Sequence, residues 1–382
     1  MGAVNTGVSA RAELWNGSTK SADLALTSLQ VTADMSATVR RQVRFTAAGV
    51  SSIAPTTVLT GTAATYGTGT YGGGTYGDSV RTELRGLLLP SVTDVKAFYT
   101  ENGTETGLGT FMASQVVWTH DATGFGVACT AYGVSRRIQR TGWDRPFVVG
   151  GTGQTVADGI RAVITDRCPS ATVTITGATD ALPTTVLGAG TTSDPWADVV
   201  QLAMLSGCVI FDDATGGVTV MPVPDLSTMT RADAAWTFAD GVNGTVMRFA
   251  DTQDDADLIN TVVVLGASHT NGQYRAVAQI TDPASPWNVA AIGEVTKEVS
   301  DSAFTSLAQC QVAANAILRN EGGLIQAIEV DVLRNPAVHE GDLVWITSSE
   351  LGTDGLYVVR SVSFDPAPNQ PMTVTAVRTV GL

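Results

Sequence analysis

A chain of 382 residues with 44% hydrophobic and 15% charged side chains has the balance of two or three globular domains, which excludes a disordered tail. Its formal net charge of -14 excludes a surface that grips nucleic acid specifically, since phosphate neutralisation needs clustered Lys and Arg. Apolar runs stop far short of the ~20 residues that span a bilayer, and Met1, Gly2 and Ala3 open no signal peptide, so a soluble, unexported chain without stable membrane insertion is expected.

Residues 10–14, 29–33 and 39–46 read as strands rich in Thr, Val and Ser, with Asn16-Gly17 as a turn. In the third, Arg41 shares a face with Val39, Val43 and Phe45 while Arg40 and Arg44 share the other, and the cluster reads as a solvated strand edge. Residues 62–78 form a low-complexity array in which Tyr66, Tyr71 and Tyr76 recur at even spacing, each followed by Gly, with no apolar neighbours to bury them. An extended, mobile loop is expected. Its match to the dinucleotide fingerprint, Gly67, Gly69 and Gly72, is rejected because Pro55 precedes and more glycine follows, where that motif needs a strand and a helix. Strands resume at 95–99, 110–118 and 126–132 around an Asn102-Gly103 turn. Together these give a first β-barrel domain over residues 1–145, with the Gly/Tyr loop at 61–78.

From 146 to 250 the hydrophobic period changes. Thr152 is placed to cap a helix with Val156, Ile160, Val163 and Ile164 on one face, closed by Pro169. Asp194 as N-cap and Pro195 in the first turn open a second, with Trp196, Val199, Val200 and Ala203 on a face and Gly207 at its stop. A hairpin of 209–211 and 218–221 completes an α+β insert domain. Residues 251–382 then form a second β-barrel domain, with strands at 258–265 and 274–280 and a helix at 302–320 capped by Ser302. It closes with a strand bearing Leu324, Ile328, Val330 and Val332 on one face, the run 343–346, an Asp354-Gly355 turn into 356–364, and the alternating strand 372–377. The expected class is α+β and β-rich: two small antiparallel barrels separated by a helical α+β insert.

Catalytic chemistry is sparse. His120, His269 and His339 have no metal spacing and read as exposed turn residues, and no Gly-x-Ser-x-Gly elbow supplies a nucleophile. The stretch from Gly150 to Thr155 suits an anion cradle at a helix start, but it lacks the Lys of a P-loop and helix capping explains it as well. Asp251, Asp254, Asp255 and Asp257 fit either a Ca²⁺ site or, preferred here because no closing Glu follows, an acidic linker. Cys129, Cys168, Cys208 and Cys310 have no CxxC spacing and read as reduced core residues. No catalytic residue, cofactor or metal is assigned.

The order of elements resembles the tail hub proteins of long-tailed bacteriophages over nearly the whole chain. The residues that carry it are Val39-Arg-Arg-Gln-Val, Leu108-Gly-Thr-Phe111, the segment from Ile138 to Pro146, Pro195-Trp196, Asp257-Leu-Ile-Asn260 leading into Val262-Val-Val-Leu265, and Asn335-Pro with Gly341-Asp342 and Gly355-Leu-Tyr357. The Tyr-Gly array is similar to loops in minor tail proteins of phages that infect actinobacteria, in keeping with a composition that has only Lys20, Lys96 and Lys297 as lysines. The resemblance implies a non-enzymatic virion structural protein at the tail tip, assembled in the host cytoplasm. It would be a homotrimer with a pseudo-sixfold face, whose partners are the distal tail protein, the tape-measure protein and a tail fibre or tip protein, with DNA passing through the channel. A hydrolase domain, which some relatives carry after the second barrel, is expected here to be a separate polypeptide. Tyr66, Tyr71 and Tyr76 are expected assembly contacts. A carbohydrate-binding receptor-recognition tail protein and, more weakly, a cell-wall hydrolase are the rival readings.

Overall fold

The computed structural model describes residues 8–37, 40–48, 86–121, 124–188, 194–241, 244–253, 255, 258–270, 272–367 and 370–380. Tyr66, Tyr71, Tyr76 and the rejected dinucleotide match lie outside them. The chain divides into two compact units, one of residues 1–31, 42–132 and 365–370, the other of 32–41, 133–364 and 371–382.

The strands that begin the chain are β1 (Val8–Asn16), β2 (Thr19–Ala25), β3 (Ser28–Asp34), β4 (Arg41–Ala48), β5 (Thr93–Glu101), β6 (Thr104–Asp121) and β7 (Gly124–Tyr132). Their order in the sheet is β3-β4-β7-β6-β5-β1-β2. Period-2 alternation explains which face is inward: Ala12, Leu14, Val95, Ala97 and Tyr99 are buried, while Arg11, Glu13, Lys96 and Phe98 take the other face. That outer face is knitted by charge. Arg11 donates to both carboxylate oxygens of Glu105 at 2.6 and 2.7 Å and to Glu13 at 2.8 Å, and Lys96 lies 3.8 Å from the centre of the Trp15 ring. Burial alone would raise the Glu13 pKa, yet hydrogen bonds from Lys20, Arg11 and Trp15 outweigh it and hold the carboxyl at about 2. Sequence patterning passed over β2, because its alternation rests on only Ala22 and Leu24; its pairing with β1 forms the strand.

The second unit continues with α1 (Val134–Thr141), β8 (Phe147–Val149), α2 (Val156–Arg167), β9 (Val173–Ile175), β10 (Thr185–Leu187), α3 (Pro195–Leu205), β11 (Cys208–Asp212) and β12 (Val218–Pro222). Helix α1 stands inside residues 1–145, where only a β-barrel domain was expected; Val134 and Ile138, four apart, put one turn of it into the core. The cap of α2 is Thr155 and not Thr152. Its hydroxyl accepts from Asp158 N while the Asp158 carboxylate accepts from Thr155 N at 2.9 Å, a reciprocal capping box. Asp194 caps α3 as expected, accepting from Ala197 N at 2.7 Å, with Pro195 next. Asp194→Ala is accordingly expected to cost about 1 kcal/mol, read as a lower urea midpoint at unchanged slope.

The remaining elements are β13 (Trp236–Ala239), β14 (Val246–Gln253), β15 (Thr261–His269), β16 (Gly272–Gln279), α4 (Val289–Ile292), β17 (Thr296–Ser300), α5 (Leu307–Glu321), β18 (Leu324–Val332), β19 (Leu343–Ser348), β20 (Thr353–Phe364) and β21 (Met372–Val380). Helix α5 starts at Ser306, which accepts from Gln309 N, rather than at Ser302; the backbone before it is taken up by a turn in which Asp301 accepts from Ala303 N. Small residues on α5, Cys310, Ala313 and Ala314, let it lie close on β15 and β16, and the resulting core is continuous with Trp196, Leu202 and Ile160 of the helical segment. Asp354 and Gly355 sit inside β20 and not in a turn. The reversal falls at 349–352, where Gly352 has φ +63.

Two runs of neighbouring strands share one strand order. In the first unit it runs β1-β5-β6-β7-β4-β3, and in the second β13-β19-β20-β21-β18-β14. In each, the long strand, β6 or β20, slips register against the strand that follows it, between Ala113 and Gln115 or between Val359 and Ser361. The two differ at one end, since β1 runs antiparallel to β5 while β13 runs parallel to β19. The α+β, strand-rich class is as the sequence implies. Among the described residues no closed sheet is found, so open sheet stands where two barrels were expected.

Candidate functional site

Two features of the second unit concentrate charge where apolar packing would be expected. The first is a buried node. Arg41, at the start of β4, is 6% exposed and donates from Nη1 to both oxygens of Glu340 at 2.9 and 3.0 Å. Beside it Asp212, at the end of β11, accepts from Ser135 N at 2.8 Å and Ser135 Oγ at 2.6 Å. A Cβ on Gly133 would lie 2.2 Å from Asp212 Oδ2, so only glycine fits that approach. Burial pushes the Asp212 carboxyl up to about 7, against the pull of the Ser135 hydrogen bonds and of Arg41. Arg41 is therefore not a solvated edge residue. It shares the inward face of β4 with Val43 and Phe45, and a carboxylate distant in sequence meets it there.

The second feature is a cleft of about 790 Å³ bounded on one side by α3, β11 and α5 and on the other by β19, β20 and β21. Its lining is apolar in Val200, Met204, Ile317, Leu356 and Val358, and four guanidinium groups, Arg40, Arg319, Arg360 and Arg378, share it. Arg378 is held by Gln326, whose Oε1 accepts from its Nε at 2.9 Å, and lies 4.7 Å from the Tyr357 ring centre. Sequence reading singled out none of these as a group, because they come from a loop, a helix and two strands that only the fold brings together. Of the four, only Arg40 belongs to a cluster visible in the sequence, one that reads as a strand edge.

The other residues weighed from sequence do not assemble into a site. His120 and His269 are exposed, with the His269 ring tilted against Tyr274 at a centroid distance of 4.4 Å. His339 is half-buried rather than exposed, and burial followed by the Arg41 charge lowers its pKa. Asp251 accepts from Gln326 and Asp255 is exposed, while Asp254 and Asp257 lie outside the described residues; no group of three metal-ligating side chains is found among those described. The glycine-rich approach to α2 ends in the Thr155–Asp158 box, which puts a carboxylate where an anion would sit. All four cysteines are buried free thiols. Among the described residues no helix is long and apolar enough to cross a membrane.

No protein-family model and no curated protein matches the chain. Solved structures do match it from end to end. The tail protein from Neisseria meningitidis MC58 aligns with a TM-score of 0.64 at 13% identity, over 98% of this chain and 97% of that one. The 43 kDa tail protein of prophage MuSo2 from Shewanella oneidensis gives 0.60 at 11% identity, over 97% and 98%. Prophage tail protein gp18 from Listeria monocytogenes EGD-e gives 0.56 at 14%, over 97% and 94%. The chain thus has the fold of phage tail proteins.

Proposed function

We propose that the chain is a structural, non-catalytic hub at the tip of a bacteriophage tail. Three copies form a pseudo-sixfold ring that joins the sixfold tube and distal tail protein to a threefold tip or fibre, leaving a channel for the tape-measure protein and DNA. The observation that carries this reading is the fold shared over 94–98% of the length with the three tail proteins from Neisseria, Shewanella and Listeria. The repeated strand order supports the symmetry: a sixfold ring meets a threefold tip without mismatch when each of three chains presents two like runs of strands. In such a ring, open sheet edges are covered by the neighbouring copy, which removes the aggregation hazard of exposed strands and is where barrel closure would occur.

Several finer points go with the proposal. The division into 1–145, 146–250 and 251–382 separates the two β regions from the helical insert. Tyr66, Tyr71 and Tyr76 serve as assembly contacts, and part of the acidic excess faces the channel, where like charge keeps DNA from sticking. The host is an actinobacterium. Native mass spectrometry of the purified full chain is expected to give about three times the 39.6 kDa of one chain. A monomer at every concentration, or a hexamer, would overturn the proposed ring.

A further inference from the structure

The cleft in the second unit has a charge balance that its own residues leave open. Two of its lining side chains are carboxylates, and both are engaged: Asp225 accepts from Ser227 N and Oγ at 3.2 and 2.6 Å, and Glu321 is paired with Lys297. Among the described residues no carboxylate forms an ion pair with Arg40 or Arg360, and Arg40 Nε is buried without a hydrogen-bond partner. Burial is the main cause that lowers the Arg40 pKa; the charges of Asp212 and Asp34 oppose it, and the like charge of Arg360 adds a smaller push downward. Guanidinium groups without an ion pair of their own in a partly desolvated cleft are costly unless an anion reaches them. With both lining carboxylates engaged, that anion comes from outside the cleft.

We propose that this cleft is a docking site for a carboxylate-rich peptide segment of a partner protein, its acidic side chains paired with Arg40 and Arg360 and its apolar side chains seated on Met204, Ile317 and Leu356. The apolar lining selects this occupant over a nucleic acid, which would offer phosphates to the arginines and leave the floor unfilled. The volume, about 790 Å³, is within the range of roughly 300–1,000 Å³ of sites that enclose a ligand. The proposal goes beyond the hub reading and does not depend on it, because peptide binding and ring formation are read separately.

The test uses the full chain and a short fluorescein-labelled synthetic peptide of alternating glutamate and leucine. A matched peptide of lysine and leucine and a single-stranded DNA oligonucleotide serve as the other arms. Saturable, salt-sensitive binding of the acidic peptide alone is expected, weakened about tenfold or more in Arg360→Gln and again in Arg40→Gln. Thermal midpoints of both variants should be unchanged or higher, since each removes a charge held without an ion pair in a partly desolvated cleft. No saturable binding by the acidic peptide, equal binding by the DNA with the same arginine dependence, or wild-type binding by both variants would overturn the proposal. Should one variant fail to fold, the other decides.

Discussion

Glu340→Ala is expected to be among the most damaging single substitutions in the chain, costing about 3–5 kcal/mol of unfolding free energy. It leaves the Arg41 guanidinium, 6% exposed, facing a vacated site beneath the sheet. What makes the effect large is the asymmetry of buried ion pairs. The pair itself contributes little net stability after desolvation, while an orphaned partner retains the whole desolvation cost. Changing both residues, Arg41→Met with Glu340→Met, should therefore be less harmful than Glu340→Ala alone. Urea unfolding of the two variants checks this, and a double variant worse than the single one would mean that the ion pair is a net stabiliser.

The second large effect concerns pH. Asp212 has its folded pKa raised to about 7, above the value near 3.9 of an unfolded aspartate. Between about pH 4 and 7 the folded chain holds a proton that the unfolded chain has released, so stability from this group is full below pH 4 and falls as pH rises toward 7. Asp212→Asn keeps the Ser135 contacts without a titrating group. The stability of the wild-type chain relative to that variant is expected to drop by about 2–3 kcal/mol between pH 5 and pH 8. Taking the difference between two chains cancels the other titrating groups. A flat difference would show that Asp212 is ionised throughout, with Arg41 outweighing burial.

The parts of the fold that were legible in the sequence are those where a local rule decides. Asp194 and Pro195 fix the start of α3 because a side-chain oxygen and a preset φ meet at one point, and Ile328, Val330 and Val332 mark the inward face of β18 because the pleat has period two. Local rules misplaced what tertiary contacts decide. Thr152 and Thr155 are both acceptable caps by type, and only Asp158 three residues on from Thr155 separates them. Helix α1 carries three arginines and a glutamine in eight residues, so its short apolar stripe gave no helical signal. The node was half legible, for Arg41 lies on the face of Val43 and Phe45, but its partner Glu340 is 299 residues away. The arginines of the cleft were invisible because no two of them share an element in register.

The repeated strand order and the end-to-end likeness to tail proteins meet in one claim, that three chains supply a sixfold interface. Electron microscopy of the assembled ring, with the copies counted and the symmetry of each face measured separately, tests it most directly. Three copies are expected, with the two like runs of strands of each chain occupying six near-equivalent positions on one face and threefold symmetry on the other. Six copies in true sixfold symmetry, or three copies whose runs of strands occupy unrelated positions, would contradict it.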